Sequence, residues 1–379
     1  MDLSNSQDYL ELRKKVKKFA TWFNDQKIEG KRYNDKEKSI MLAKDGFFDY
    51  MFPSQYGGKL VKDFDVTALC IIREELGRLC AELDGVFIGQ GLGGYPILIF
   101  GSEAQKREYL IPTAMGQKIA AFALTESEAG SDVGSVQTSA LPAEDGYVIN
   151  GTKKFISNAG ASDYYLVFAK TDPAAGNKGI SAFIVDADNP GLTIEPMEVI
   201  APHTIGKLEF NSCKVTEESL VGNLGDGFSI AMSNLDIFRT TVGAMVVGLA
   251  QSALDLSVSR AKTRVQFGKP IAKFQAIQFK LADMSTSLRA ARLMVYTAAG
   301  LKDSGKNPSM ESSMAKLFAT ETAFNVVNSA VQIFGGDGVV KNSPVEKLYR
   351  EVRSPMIYEG TSEIQRIVIA RELLKRSEM

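Results

Sequence analysis

Near the end of the chain a carboxylate stands between an aromatic ring and a glycine, in Tyr358-Glu359-Gly360-Thr361-Ser362. A carboxylate just ahead of a helix gains basicity when partly desolvated and can then take a proton. Left in water it only complements the helix dipole. The stretch Phe122-Ala-Leu124-Thr125-Glu-Ser-Glu-Ala-Gly-Ser131-Asp132 ends a strand in hydroxyls and small residues. Its N–H and O–H groups suit phosphate or heterocycle oxygens, although taken alone it reads equally as a polar turn. Phe155-Ile-Ser157-Asn158 offers a ring for stacking on a planar group, two residues before a hydroxyl; an ordinary strand with one buried Phe would look the same. Gln332-Ile-Phe-Gly335-Gly336 ends a helix on two glycines, and Arg264-x-x-Phe267-Gly268, with Phe274-Gln275 close behind, adds a guanidinium and further rings.

Composition narrows the chemistry. The 379 residues carry 44 Lys+Arg against 45 Asp+Glu, a net charge of −1 that removes the electrostatic case for a nucleic-acid binder. One histidine, His203, excludes multi-histidine metal sites and leaves a His-dependent triad improbable. Cys70, Cys80 and Cys213 form no spaced cluster, so neither a disulfide framework nor a zinc site is expected. Catalysis must then use carboxylates, hydroxyls, backbone amides or a cofactor, with no metal. Residues 1–20 are charged and amphipathic, unlike a signal peptide. No apolar run approaches the roughly 20 residues a membrane helix needs. The expected setting is cytoplasmic, or that of a mature matrix-type protein, without membrane insertion.

Apolar periodicity supplies the elements that must position these groups. Tyr9, Leu12, Val16 and Phe19, then Ile71, Ile72, Leu76 and Leu79, mark helices in an N-terminal segment 1–117, punctuated by Gly57-Gly58, Gly93-Gly94 and Pro112. From 118 to 228 the texture changes to short β-branched and aromatic runs, at Ile119–Leu124, Tyr147–Asn150, Tyr164–Ala169, Ile180–Val185 and Leu192–Ile194. Turn residues bound each run, so the expectation is antiparallel pairing in a small barrel or sandwich. Segment 229–379 is helical again. Its seams are Leu235, Phe238, Val242, Met245, Leu249, Leu256; Ile277, Leu281, Met284, Leu288, Ala291, Val295, Ala298; and Leu317, Phe324, Val327, Val331, Phe334. They imply a four-helix-type bundle and a subunit interface. A last helix starts near Ser362, where Ser362-x-x-Gln365 fits a capping box and Ile364, Ile367 and Val368 give a buried face. The fold class is therefore α+β: helices, then strands, then a helical bundle.

One motif is set aside. Gly89-Gln-Gly91-Leu-Gly-Gly94 satisfies GxGxxG, but no βαβ unit or following acidic residue accompanies it, so a glycine-rich turn with close backbone approach is the better reading.

Taken together, Ala-Leu-Thr125-Glu-Ser-Glu-Ala-Gly-Ser131-Asp, Arg264-x-x-Phe-Gly-Lys-Pro-Ile, Gln332-Ile-Phe-Gly-Gly336 and Tyr358-Glu-Gly-Thr-Ser-Glu-Ile-Gln365 through Ala370-Arg371 resemble the acyl-CoA dehydrogenase family over nearly the whole chain. The resemblance implies non-covalent FAD in the crevice between the strand domain and the C-terminal bundle. Phe122, Leu124, Thr125 and Ser131 would hold the isoalloxazine edge, and Phe155 and Ser157 would cover its face. Arg264, Phe267, Phe274, Gln275, Gln332, Gly335 and Gly336 would come from a neighbouring subunit to the adenosine diphosphate part; the planar fork of Arg264 suits pyrophosphate. Thr361 and Glu363 would complete the cofactor contacts.

For the acyl-CoA thioester the resemblance points to Ser131, Asp236, Arg239, Tyr358, Gly360 and Arg371, with Glu359 as the catalytic base. Some relatives carry the base immediately before the arginine matched by Arg239; here Phe238 stands there. Implied partners are electron-transferring flavoprotein and further copies of the chain, as a homotetramer built from two dimers. Two departures stand out: Phe155 replaces a common Trp, and Ala201-Pro-His-Thr-Ile-Gly206 replaces a common Leu-Gly-x-Arg. Pro202–Gly206 and Phe238–Gly243 are more similar to relatives acting on alicyclic acyl-CoAs such as cyclohexanecarboxyl-CoA. The alternatives are a short- or medium-chain straight or branched acyl-CoA dehydrogenase, an enoyl-CoA reductase using the same residues in reverse, a flavin oxidase or monooxygenase relative, and a catalytically silent binding or assembly protein on the same fold.

Overall fold

Chain order runs from helices through strands back to helices, in a computed structural model that describes residues 6–61, 64–201 and 203–376. The first five residues of the amphipathic start, and Pro202 of the Pro202–Gly206 stretch, lie outside the described residues. Four helices lead: α1 (Gln7–Ile28), α2 (Asp35–Lys44), α3 (Val66–Leu79) and α4 (Asp84–Phe100), followed by short turns α5 (Glu103–Gln105) and α6 (Ile111–Ala114). The strands are β1 (Ala120–Ala123), β2 (Ser139–Ala143), β3 (Gly146–Ser157), β4 (Tyr164–Lys170), β5 (Ile180–Asp186), β6 (Leu192–Pro196), β7 (Ile205–Val215) and β8 (Leu220–Val221). Then come α7 (Gly227–Thr263), a hairpin of β9 (Val265–Gln266) and β10 (Lys269–Pro270), α8 (Gln275–Asp303), α9 (Ser309–Phe334), α10 (Pro344–Glu351) and α11 (Ser362–Arg376). Spatially the chain makes two compact units: Met1–Gly30 with Val66–Asp84 and Asp236–Met379, and Lys31–Asp65 with Gly85–Leu235.

In the first unit α1 and α3 fold with the C-terminal helices. Leu12, Val16 and Phe19 of α1 are buried as their spacing requires, and α3 is buried nearly all round, its Arg73, Glu74 and Glu75 included. The bundle proper is α7, α8, α9 and α11. The α7 seam is buried from Leu235 to Leu249, and the α8 seam from Met284 to Ala298, with Ile277 and Leu281 half-buried. On α9 only Val327 of the expected seam lies on the core-facing stripe. Ser312, Ala315, Lys316, Ala319, Ala323, Val327 and Ala330 face inward, while Leu317, Phe324, Val331 and Phe334 sit half-buried on the flank. Small residues win the inner face because helices approach closely there: a Cβ on Gly243 of α7 would stand 3.5 Å from the Ala315 carbonyl and 3.6 Å from the Ala319 Cβ of α9. On α11 Val368 is buried as expected, but Ile367 is 61 % exposed.

In the second unit one sheet runs β6-β7-β3-β2-β4-β5-β8, with β1 also paired to β4. Most pairings are antiparallel, but β1–β4 and β2–β4 are parallel, which corrects the all-antiparallel expectation. A parallel pair needs a long connection, and the stretch from β1 to β4, containing the β2–β3 hairpin, supplies it. The sheet is open and sandwich-like, not a closed barrel. Its core comprises Ala121, Ile149, Ile156, Tyr165, Val167, Phe183, Leu208 and Phe210, among others.

The GxGxxG segment is helical, inside α4, and not a turn. Its glycines do permit close approach: a Cβ on Gly89 would sit 2.1 Å from Asn158 Nδ2, and on Gly93 2.6 Å from the Ala120 Cβ. Among the described residues two helices, Ala81–Phe100 and Gly227–Thr263, are by length and composition apolar enough to cross a membrane; 78 % and 72 % of their apolar windows are buried inside the protein, as those of core helices are.

Candidate active site

Glu359 and Gly360 both occupy the left-handed region, at φ of 54° and 92°. Gly360 adopts it freely, whereas a residue with a Cβ is held there at a cost on the order of 1–3 kcal/mol. Donors from three helices hold the turn. Arg239 Nε of α7 donates to the Glu359 carbonyl at 3.1 Å, and Gln365 Nε2 of α11 donates to the same oxygen at 3.2 Å and to the Gly360 carbonyl at 2.8 Å. Lys316 Nζ of α9 donates to the Gly360 carbonyl at 2.7 Å. The cap of α11 is accordingly displaced from the expected box: the Thr361 hydroxyl accepts from the Ile364 N–H at 3.3 Å, Gln365 is spent on the loop carbonyls, and the buried Ser362 hydroxyl has no hydrogen-bond partner.

The Glu359 residue is half-buried, yet its Oε2 is shut from solvent and has no hydrogen-bond partner. Burial raises its proton affinity above the ordinary carboxylate range, opposed by the cations Arg73, Lys316 and Arg239. Arg73 is itself wholly buried, with Nε and Nη2 on the Asp84 carboxylate at 2.8 and 2.6 Å and Nη1 on the Thr241 hydroxyl at 2.8 Å. Burial likewise brings the Lys316 ammonium down to about 8, against the pull of Glu359. A dry carboxylate among positive charges can take a proton and can also release it, which is what a base that must turn over requires.

Of the expected thioester residues, this unit gathers several around Glu359. Arg239 is 4 % exposed and bridges the Glu359 carbonyl to Asp236, whose Oδ1 it meets at 3.0 Å. Burial raises the Asp236 proton affinity, with Arg239 and Arg371 opposing. Arg371 itself is exposed beside Glu372, and the Tyr358 ring is 38 % exposed. Phe238 is fully buried.

Arg264 lies elsewhere. From Arg239 to the end of α7 at Thr263 is about 36 Å of helix, so Arg264 cannot serve the Glu359 loop of its own chain. It stands with the β9–β10 hairpin, where Phe267 is 92 % exposed and packs edge-on to Phe274 at 6.1 Å. Exposed Gln275 opens α8, and exposed Gln332, Gly335 and Gly336 close α9. Around Gly268, Gly335 and Gly336 an added Cβ would meet no atom within 4 Å. Thr361 and Glu363 remain at the start of α11, where bonds to the Glu363 N–H and the Thr361 hydroxyl lower the Glu363 carboxyl.

The strand unit assembles the other expected group. A bulge in β3 between Lys153 and Ile156, opposite Leu208 and Gly206 of β7, places Phe155 at φ 59° and leaves its ring 51 % exposed. Such a bulge re-aims a side chain. The Phe155–Asn158 segment is thus the end of a long strand and does not follow one. The loop after β1 docks beside it: the Lys154 N–H donates to the Thr125 carbonyl at 2.8 Å, and the buried Lys153 ammonium to the Leu124 carbonyl at 3.0 Å. Phe122 packs on Phe168 at 4.9 Å, and Ser131 and Ser157 are exposed. Phe122, Leu124, Thr125, Phe155 and Ser157 are therefore joined through one strand end and its neighbouring loop.

Several groups went unseen in the sequence: Lys316, Arg73 with Asp84, and Lys153 with Glu126. Their shared signal is a charge inside an otherwise apolar or small-residue stripe. In the strand unit, an exposed ring on a strained bulge suits stacking on a planar group. In the helical unit, an unpartnered buried carboxylate oxygen suits a proton-bearing substrate, and open space around three glycines leaves room for a phosphate-bearing group.

Family models for the acyl-CoA dehydrogenase N-terminal, middle and C-terminal domains match residues 6–117, 121–213 and 225–374. A 3-(aryl)acrylate reductase of Clostridium sporogenes is 43 % identical over 97 % of this chain and 100 % of its own. The caffeyl-CoA reductase-Etf complex subunit CarC of Acetobacterium woodii is 40 % identical over 97 % and 100 %. The structure of butyryl-CoA dehydrogenase from Megasphaera elsdenii superposes with a TM-score of 0.92 at 38 % identity, covering 99 % of this chain and 100 % of that one.

Proposed function

Because the chain belongs to the acyl-CoA dehydrogenase family of FAD-dependent oxidoreductases, we propose that it interconverts an acyl-CoA and its 2-enoyl-CoA, with Glu359 moving the α-proton. The observation that carries this reading is the Glu359 carboxyl itself: buried, unpartnered at Oε2, and fixed on a left-handed turn by Arg239, Gln365 and Lys316. A thioester α-proton is weakly acidic because the resulting anion is poorly stabilised in water. The Glu359 backbone N–H is assigned to the thioester oxygen, where it would bind the developing negative charge. FAD, when bound, supplies the acceptor for the β-hydride. Exclusion of water by the apolar surroundings raises the basicity of Glu359.

Phe122, Leu124, Thr125, Ser131, Phe155 and Ser157 would take the flavin ring. Arg264, Phe267, Phe274, Gln275, Gln332, Gly335 and Gly336 would serve the adenosine diphosphate of a neighbouring copy, a role favoured by the length of α7; the proposed assembly is a homotetramer of two dimers, as the family resemblance implies. Thr361 and Glu363 would complete the cofactor contacts. Ser131, Asp236, Arg239, Tyr358, Gly360 and Arg371 would take the CoA thioester, Arg239 by joining Asp236 to the Glu359 loop. Electrons would be exchanged with electron-transferring flavoprotein, in keeping with the Etf complex named for the Acetobacterium relative.

For the acyl group the primary reading is alicyclic, of the cyclohexanecarboxyl-CoA type. A second reading, reduction of an enoyl-CoA, is favoured by two relatives named as reductases over nearly the whole chain. The test is an anaerobic titration of the oxidised holoenzyme with butyryl-, isobutyryl-, cyclohexanecarboxyl- and 3-phenylpropionyl-CoA, and a separate titration of the dithionite-reduced holoenzyme with each enoyl-CoA. Bleaching of the flavin by one of them supports dehydrogenation; reoxidation without bleaching supports reduction. A flavin inert to both excludes the proposed chemistry.

A further inference from the structure

We propose that Lys316 is a positioning residue for Glu359: its ammonium, together with the Gln365 amide, holds the left-handed Glu359–Gly360 turn in the one backbone conformation that presents the carboxyl. This rests on the reading of Glu359 as the proton-transferring group. Lys316 is wholly buried on the inner stripe of α9, between Ala315 and Ala319. A buried ammonium is costly unless its charge meets strong acceptors. Its direct bond is to a backbone carbonyl, that of Gly360, at 2.7 Å. A helix that needed only packing would carry Met or Leu at this position.

The carbonyls of both left-handed residues point at donors from different helices, so the turn is over-determined. Gln365 reaches both oxygens, at 3.2 and 2.8 Å, and Lys316 and Arg239 take one each. Over-determination of this kind is what keeps a residue with a Cβ at φ 54°. Lys316 also brings charge to Glu359. The groups acting on this pair are Arg73 of α3, Asp84 of α4, Arg239 of α7, Glu321 of α9 and Glu363 of α11. Removing the Lys316 charge leaves Arg73 and Arg239 as the cations opposing protonation of Glu359. The Glu359 proton affinity then rises, so the limb of the rate profile set by Glu359 moves to higher pH: the acid limb with an acyl-CoA, where Glu359 is the base, and the alkaline limb with an enoyl-CoA, where it is the acid.

The test compares holoenzyme variants K316M, K316R, Q365L and E359Q, using whichever acyl-CoA or enoyl-CoA of the panel reacts fastest with the wild type. K316M should keep its FAD and slow flavin reduction or reoxidation about 100-fold, the size of effect that a misplaced reacting group produces. Its Glu359 limb should move to higher pH, K316R should leave that limb in place and recover part of the rate, and Q365L should slow the reaction without moving the limb. Amide hydrogen exchange across residues 357–361 should accelerate in K316M and Q365L, independently of turnover. If K316M does not fold, Q365L and K316R read the same clamp. A K316M enzyme within threefold of wild type, with an unmoved limb and unchanged exchange at 357–361, overturns the proposal. An E359Q enzyme of wild-type rate would instead overturn the reading of Glu359, while the exchange data still judge the clamp.

Discussion

The Lys153 ammonium lies 2.8 Å from Glu126 Oε1, inside the strand unit, with Lys153 wholly buried. The pair ties three segments. Lys153 also holds the Leu124 carbonyl, while the Glu126 carboxylate accepts the Gln137 and Thr138 N–H groups at 2.6 and 3.0 Å. The loop assigned to the flavin edge is thus fastened to β3 from beneath, one residue from the bulge that turns Phe155 outward.

Removing one partner of such a pair leaves the other charge buried, so K153M should lower unfolding free energy by about 3–5 kcal/mol. Urea denaturation of wild type and variant measures it. A loss under about 1 kcal/mol would mean the loop is held by other means.

Phe155 sits at φ 59° with its ring 51 % exposed, so its backbone strain and its ring make opposite demands. F155G relieves the strain and deletes the ring. The variant should be as stable as wild type, or more so by up to about 1 kcal/mol, yet release FAD on dialysis. Tight FAD retention by F155G would remove the ring from the cofactor site.

Arg264 is exposed at the end of α7 and contributes to the fold through its backbone, its carbonyl accepting from the Ile271 N–H at 2.8 Å. R264A should therefore keep the wild-type melting temperature as apoprotein while FAD content after gel filtration falls. Full FAD occupancy in R264A would leave the residue a purely structural part of the hairpin.

Glu359 carries a pH signature of its own. Burial raises its folded proton affinity above the unfolded value. Over the interval from the ordinary carboxylate range up to that raised value the folded state binds more protons, and stability falls as pH increases. Below that interval the penalty is absent. E359Q has no such charge to bury, so its melting temperature should exceed that of wild type near about pH 8 and approach it near about pH 4. A difference independent of pH would mean the carboxyl is not desolvated.

How much of this was legible in the sequence follows from what each residue type signals. Glu359 was singled out by its company: a lone carboxylate ahead of a helix more often only complements the dipole, and it was the family resemblance of the surrounding motifs that pointed to it as a base. The seams of α7 and α8 were visible because large apolar residues line their inner faces. On α9 that signal pointed to the flank, since alanines and Lys316 occupy the core side, and a lysine is ordinarily read as a solvent residue. Strand β7 was missed because Asn211 and Ser212 break its alternation at a bulge where Ser212 lies at φ 50°. The parallel β1–β4 pairing was hidden as well, because local pattern does not specify partners distant in the chain. The glycines of α4 read as a turn with close backbone approach; the approach is there, to β1 and Asn158, but it is made by a helix, because the glycines' lack of a Cβ signals proximity and not the element that carries it.

The central claim is that the Glu359 carboxyl moves the thioester α-proton, and single-turnover flavin spectroscopy of E359Q tests it most directly. With a substrate that bleaches the wild type, E359Q should still bind FAD and the acyl-CoA, while bleaching slows by about two to four orders of magnitude. Bleaching at a rate close to that of wild type would contradict it.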